Sequence, residues 1–150
     1  MGLMEAVGSG PVALDTSIFI YFLERDPRYL SSLRPMFEAI AAGRLPAVTS
    51  GITLLESLVV PLRAGDLALA ERYESLLTRS RGLRMIDLDR DVLRGAAQLR
   101  AMRPSLRSPD ALQLSAALRA RCSSFVTNDR GLPQLAGVRI VVLDEVIRRS

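Results

Sequence analysis

Along the chain, short and nearly continuous apolar runs alternate with longer stretches in which apolar residues recur every three or four positions. The first pattern is that of a buried strand, the second that of an amphipathic helix. Strands are predicted over residues 12–14, 46–49, 83–86, 124–127 and 139–143. A helix is predicted over 16–23, and the repeat of Leu30, Leu33, Phe37 and Ile40 predicts another that Gly43 stops. Ser50-Gly51 opens a third helix, which carries Glu56 and which Pro61 ends or kinks. The stripe Leu67, Ala70, Tyr73, Leu76 and Leu77 marks a fourth, with Glu71, Arg72, Glu74 and Arg79 on its other side. A fifth covers 92–102, and Ser108-Pro109-Asp110 starts a sixth, with Ser108 placed to cap it and Pro109 in its first turn.

Short apolar strands alternating with helices imply an α/β fold, a three-layer α/β/α sandwich whose central sheet of about five strands is mainly parallel. Residues 1–11, with Gly8-Ser9-Gly10, are expected as a flexible N-terminal segment, and 12–150 as one domain.

Composition narrows the chemistry. Histidine is absent and all 20 basic residues are arginine, which removes His-based nucleophilic catalysis, the usual zinc ligands, P-loop lysine and Schiff-base chemistry. The single cysteine, Cys122, excludes an internal disulfide. A formal charge of +4 is compatible with a polyanionic partner or with a merely arginine-rich composition. The N-terminus does not read as a signal peptide, and no run reaches the ~18 apolar residues of a membrane span. No membrane is therefore expected, and the cytoplasm is the expected location.

What remains in quantity is carboxylate. Asp15 and Asp129 follow predicted strands, while Glu56 and Asp110 lie in the first or second turn of predicted helices. Each has a structural explanation of its own. Asp15 suits a helix cap, Asp110 a helix dipole, Asp129 a turn before Gly131, and Thr53-Leu54-Leu55-Glu56 spells a capping box. Right-handed crossovers would nevertheless bring all four to one sheet edge, where ligands of open α/β sheets bind. Clustered carboxylates repel unless a cation compensates them, and an oxygen-only set suits Mg²⁺ or Mn²⁺. Such an ion polarises a phosphodiester oxygen and acidifies water, so the missing His and Lys are no handicap. Asp87, Asp89 and Asp91 alternate as in a calcium loop but lack its Gly and terminal Glu, which favours a strand end and helix cap. Asp144-Glu145 is a further candidate contributor.

The order of these acids and the words around them resemble the PIN-domain nucleases, in particular the VapC-type toxins of bacterial toxin–antitoxin pairs. The resemblance rests on Val12-Ala13-Leu14-Asp15-Thr16-Ser17, Val48-Thr49-Ser50 with Thr53-Leu54-Leu55-Glu56, Arg107-Ser108-Pro109-Asp110-Ala111-Leu112-Gln113-Leu114 and Phe125-Val126-Thr127-Asn128-Asp129. It implies a Mg²⁺- or Mn²⁺-dependent endoribonuclease in which Asp15, Glu56, Asp110 and Asp129 ligate metal directly or through water. Thr127 would orient the site by hydrogen bonding, and Ser17, where relatives often place Asn, would do likewise. A homodimer and a cognate antitoxin whose C-terminal segment covers the acidic cleft are implied as well.

Arg25, Arg28, Arg63 and Arg107 fall near the expected mouth, where they would contact RNA phosphates or antitoxin carboxylates, or form a solvated surface. Leu30, Leu33, Met36, Phe37, Ile40, Leu54, Leu58 and Leu62 offer apolar surface for either a partner groove or plain core. A phosphatase of the haloacid dehalogenase type also begins with an Asp after its first strand. That chemistry wants a second Asp where Ser17 stands, and a downstream Lys that the chain lacks. The remaining alternatives are a PIN nuclease of RNA processing and a catalytically idle PIN-like binding module. Only three Tyr and four Phe argue against a broad base-stacking platform.

Overall fold

Burial decides which apolar runs become strands. The computed structural model describes residues 2–148. Strands β1 (Val12–Leu14), β2 (Ala47–Ser50), β3 (Leu83–Ile86), β4 (Ser124–Thr127) and β5 (Arg139–Val142) form one parallel sheet in the order β3-β2-β1-β4-β5. The expected α/β architecture with a five-stranded parallel sheet is thus the observed one. Side chains alternate across the sheet as its period of two requires. Val12, Leu14, Ala47, Val126 and Val141 enter one core, and Ala13, Val48, Phe125, Ile140 and Val142 the other.

Helices α1 (Leu3–Val7), α2 (Thr16–Leu23), α3 (Leu30–Ala41), α5 (Leu67–Arg79) and α8 (Leu143–Arg148) contribute to the first core. Helices α6 (Arg90–Met102) and α7 (Ser108–Arg119) cover the second face and pack closely on each other. Gly95 of α6 permits that approach, because a Cβ there would stand 2.4 Å from the Ser115 hydroxyl, which donates to the Val92 carbonyl at 2.7 Å. Helix α4 (Gly51–Arg63) leaves β2 and packs against α5, α2 and α7.

Several local expectations are corrected. Residues 1–11 are no simple tether, since they contain α1, whose Leu3, Ala6 and Val7 are buried against the core; Met1 lies outside the described residues. Positions 3, 6 and 7 have helical spacing, but five residues are too few for a period to stand out. Pro61 does not end α4 at its own position: it is buried inside the last turn, and the helix runs on to Arg63. Ser108 does not cap α7, because Arg107 occupies the cap position and the Ser108 hydroxyl accepts from Arg100 at 3.0 Å. Leu143 opens α8 rather than ending β5. Of the apolar surface considered for a partner, Leu33, Met36 and Ile40 are core, and Phe37 and Leu54 pack against it.

The strand order places a topological switch point between β1 and β4. From β1 the chain builds β2 and β3 outward, then crosses back to β4 and β5 on the other side. Crossover loops diverge there and leave a crevice at the strands' carboxyl ends.

Gly82, which leads into β3, has a φ of +87° and would bring a Cβ to 2.1 Å from the Ile40 carbonyl oxygen. Gly43 also has a positive φ, of +78°, but faces open space. Urea denaturation should therefore rank the two substitutions. Gly43→Ala is expected to cost about 1 kcal/mol, the backbone penalty alone, and Gly82→Ala roughly 2–4 kcal/mol because backbone must also move.

Candidate active site

The switch point fixes the first two acids. Leu14 is in register with Val126, and the Asp15 N–H donates to the Val126 carbonyl at 2.9 Å, which sets Asp15 beside Thr127. The Thr127 hydroxyl donates to Asp15 Oδ2 at 2.6 Å and accepts the Asp129 N–H at 3.1 Å. Asp15 also caps α2, accepting the Thr16 N–H at 2.8 Å, so the capping role and the cleft-facing role coincide. Asp129 Oδ1 accepts the Gly131 N–H at 2.8 Å in the turn the sequence suggests.

The other two acids arrive on helices. Glu56, in the second turn of α4, accepts the Thr16 hydroxyl at 2.7 Å. Asp110, in the first turn of α7, faces the Arg107 guanidinium at 3.5 Å. All four line one open cleft of about 600 Å³, together with Ser17 and Arg107. The cleft continues past Arg107, Asp110 and Asp129 into a depression of about 420 Å³ that reaches Arg103 and Pro133.

Arg25, Arg28 and Arg63 do not line this cleft. Arg28 is paired with Asp26 at 2.9 Å and lies 4.9 Å from the Tyr29 ring centroid. Arg25 borders a separate depression with Phe22 and Arg72, and Arg63 closes α4 two turns beyond Glu56. Asp144 accepts the Tyr29 hydroxyl at 2.8 Å and is likewise outside the cleft. Asp89 caps α6 and Asp91 pairs with Arg119 at 3.3 Å, the helix-cap arrangement expected of that triplet.

Beneath the cleft lies a buried polar network that sequence reasoning missed. The Thr49 hydroxyl donates to the Leu14 carbonyl at 2.9 Å, so its contact with Thr53, at 2.8 Å, must be accepted from Thr53. Gln113, only 3% exposed, donates through Nε2 to Thr53 at 2.7 Å and to Thr16 at 3.3 Å, while its Oε1 accepts from Ser50 at 2.8 Å. Thr16 then spends its single proton on Glu56. One proton per hydroxyl sets the direction of these bonds, so one branch of donors ends on the Glu56 carboxylate and the other, through Thr53 and Thr49, on the Leu14 carbonyl. Thr53 therefore serves this network, not the capping box its spacing with Glu56 suggests. The available signal was polar residues on the inward face of otherwise apolar helices, at Thr53 and Gln113.

Electrostatics single out two acids. Burial pushes the Asp15 carboxyl above the usual carboxylate range; the Thr127 hydroxyl and the Thr16 N–H oppose this, and the charges of Asp110 and Glu56 add to it. Burial also raises Asp110, against the pull of Arg107 and with repulsion from Asp129. Among the described residues no three Asp, Glu or Cys side chains stand as they are in a geometry that would hold one ion. Their oxygens are engaged instead by Thr127, Thr16, Arg107 and the Gly131 N–H. The residues available to a divalent cation are Asp15, Glu56, Asp110 and Asp129. The Ser17 hydroxyl, buried at the cleft wall, has no hydrogen-bond partner among the described residues.

An acidic crevice thus stands at the switch point of a parallel α/β sheet, where ligands of open α/β folds bind. The sequence profile of the PIN domain matches residues 12–138, and the chain belongs to the PIN domain family, whose members are nucleases. Solved structures with the same fold include VapBC2 from Rickettsia felis bound to a DNA fragment from its promoter, at 18% identity and a TM-score of 0.69, covering 87% of this chain and 97% of that one. DNA-bound VapBC from Salmonella typhimurium is 24% identical with a TM-score of 0.64, over 88% and 97% of the two chains. A toxin–antitoxin complex from Klebsiella pneumoniae is 23% identical with a TM-score of 0.60, over 85% and 94%. Comparison with curated protein sequences gave no significant match.

Gln113→Leu fills the same space but strands the partners of both ends of the amide. It is expected to lower stability by roughly 2–4 kcal/mol, read by thermal or urea unfolding. Asp110→Asn should do the opposite in metal-free protein. Because the folded carboxyl titrates above its ordinary value of 3.8, its ionised form weakens the fold once the pH rises through the raised value. The variant's melting temperature should thus exceed the parent's at neutral pH, and the gap should close as the pH falls below 3.8, where the carboxyl is protonated in the folded and the unfolded state alike.

Proposed function

We propose that the protein is a divalent-metal-dependent endoribonuclease that hydrolyses RNA phosphodiester bonds, and that it is the toxin of a toxin–antitoxin pair. The observation that carries the enzymatic reading is the meeting of Asp15, Glu56, Asp110 and Asp129 in one cleft, with Asp15 and Asp110 raised. The residues fit a hard cation. Their donors are carboxylate oxygens alone, two of them destabilised by burial and mutual repulsion, beside an unpartnered buried hydroxyl at Ser17.

When bound, Mg²⁺ or Mn²⁺ supplies Lewis acidity toward the phosphodiester and acidifies the attacking water. The chain's own residues do the positioning. Thr127 fixes the Asp15 carboxylate against β4, and the Gln113–Thr16 chain of donors fixes Glu56. Arg107 is 78% exposed at its side chain, free to leave Asp110 and receive a phosphate oxygen. Ser17 offers a hydroxyl to whatever enters the site. The choice of RNA rests on the family resemblance.

Partners follow from the surface and the neighbours. An apolar groove of about 380 Å³, lined by Phe22, Phe37, Ile40 and Leu76 with Arg34 and Arg81 at its edges, suits an antitoxin segment. On α4, Leu55 (59% exposed), Val59 (40%) and Leu62 (52%) share one face, which supports a homodimer. The structural neighbours, named as toxin–antitoxin complexes, support the antitoxin partner. No helix among the described residues is long and apolar enough to cross a membrane.

Purified protein incubated with structured total RNA and Mg²⁺ or Mn²⁺ is expected to give discrete fragments. EDTA, or Asp110→Asn, should lower the rate at least about a thousandfold, the scale of several kcal/mol of lost transition-state stabilisation. A matched DNA should remain intact. Cleavage that survives both EDTA and Asp110→Asn would remove the four-acid site from consideration.

A further inference from the structure

We infer that Tyr21 is the wall of a nucleobase subsite, on which an unpaired base beside the scissile phosphate stacks; this rests on the ribonuclease reading above. Helix α2 turns Ser17, Ile20 and Tyr21 toward the cleft at i, i+3 and i+4 spacing. Everything else that lines the cleft is charged or polar. Carboxylates and Arg107 address the phosphate, so an apolar wall has only the sugar or the base to contact.

The ring is built rigid. It stacks on Tyr29 at 4.3 Å between centroids with a tilt of 31°, and its hydroxyl accepts from Asn128 Nδ2 at 3.3 Å. Asn128 is itself pinned, donating to the Tyr29 hydroxyl at 3.1 Å and accepting the Asp144 N–H at 2.9 Å. Tyr29 is only 5% exposed, which leaves Tyr21 to present the aromatic surface. A ring already fixed loses little entropy when a base stacks on it, and stacking tolerates every base. Asn128 lies between Thr127 and Asp129, so the same residue that holds the ring sets its distance from the acidic cluster. With three tyrosines in the chain, a single base is gripped and no platform is formed.

The competing role for Tyr21 is to brace Asn128 through its hydroxyl, and Tyr21→Phe separates the two. The substrate is a labelled oligoribonucleotide carrying a cleavage site mapped from total RNA, with Mn²⁺. Tyr21→Leu should raise KM about tenfold, within the range that one stacked base contributes, with kcat much less affected. Tyr21→Phe should recover most of that loss. Equal losses in Phe and Leu variants would mean that the hydroxyl matters and the ring does not, which overturns the subsite; so would an unchanged KM in Tyr21→Leu while cleavage remains metal-dependent. Failure of the parent protein to cleave any RNA would remove the ribonuclease reading and the subsite with it.

Should Tyr21→Leu not fold, Tyr21→Trp gives the chain its sole tryptophan. In an Asp110→Asn background with Mn²⁺, a single-stranded oligoribonucleotide should quench its emission, and inorganic polyphosphate should not. Binding seen by anisotropy without quenching would refute stacking.

Discussion

The cleft depends on one buried network of donors that branches at Gln113, one arm running through Thr16 to Glu56 and the other through Thr53 and Thr49 to the Leu14 carbonyl. It ties the end of β2, the first turns of α2 and α4, and the inner face of α7 to one another. Helices α2, α4 and α7 adjoin or carry Asp15, Glu56 and Asp110, so the positions of three of the four carboxylates depend on this one arrangement of protons, while Thr127 holds Asp129 beside Asp15. A buried amide has no tolerance for a misplaced partner, because an unmet donor costs more than a met one contributes. That asymmetry makes the network a gauge of spacing: α7 and α4 must stand where Gln113 reaches both Thr53 and Ser50.

The network also explains how a cluster of like charges survives in the folded chain. Repulsion among Asp15, Glu56 and Asp110 favours opening the crevice, and desolvation adds to it. The Thr127 hydroxyl and the Thr16 N–H answer the two oxygens of Asp15, and the Thr16 hydroxyl answers one oxygen of Glu56. Neutral donors were the suitable choice here. A lysine or histidine in their place would neutralise the acids permanently, whereas a hydroxyl fixes geometry and keeps the charge that a cation needs. The absence of both residue types from the chain is consistent with such a site.

The sheet, its five strands and the gathering of the acids were legible because they depend on period and order, whereas the ends of β2 and β5 each fell one residue away from expectation. Buried strands read as apolar runs, and the parallel order with right-handed crossovers then placed Asp15, Glu56, Asp110 and Asp129 together. The polar network was not legible, since Thr49, Thr53 and Gln113 look like ordinary helix and strand residues until α7 is laid against β2. Capping rules misled at Thr53 for the same reason: local spacing fits a box, but the tertiary partner offers a better bond. Helix α1 escaped notice because five residues carry too little periodicity, although burial of Leu3 and Val7 fixes it firmly. The arginines were hardest to place, as a long exposed side chain is positioned by its nearest carboxylate. Arg28 was taken by Asp26, while Arg107 found Asp110.

Helix α2 joins both halves of the argument. Its N-terminus is capped by Asp15, its Thr16 feeds Glu56, and one turn later Tyr21 meets Asn128, the residue between Thr127 and Asp129. Asp15 and the aromatic wall are therefore carried by one short element, and a displacement of α2 shifts them together. Loops at the switch point provide the crevice, the helix sets the distance between Asp15 and the ring, and Asn128 ties the ring to the segment that bears Asp129. Reading a phosphate and its neighbouring base as one unit requires that distance to be constant, and an eight-residue helix anchored by Asp15 at its start and, through Tyr21, by Asn128 and Tyr29 meets the requirement.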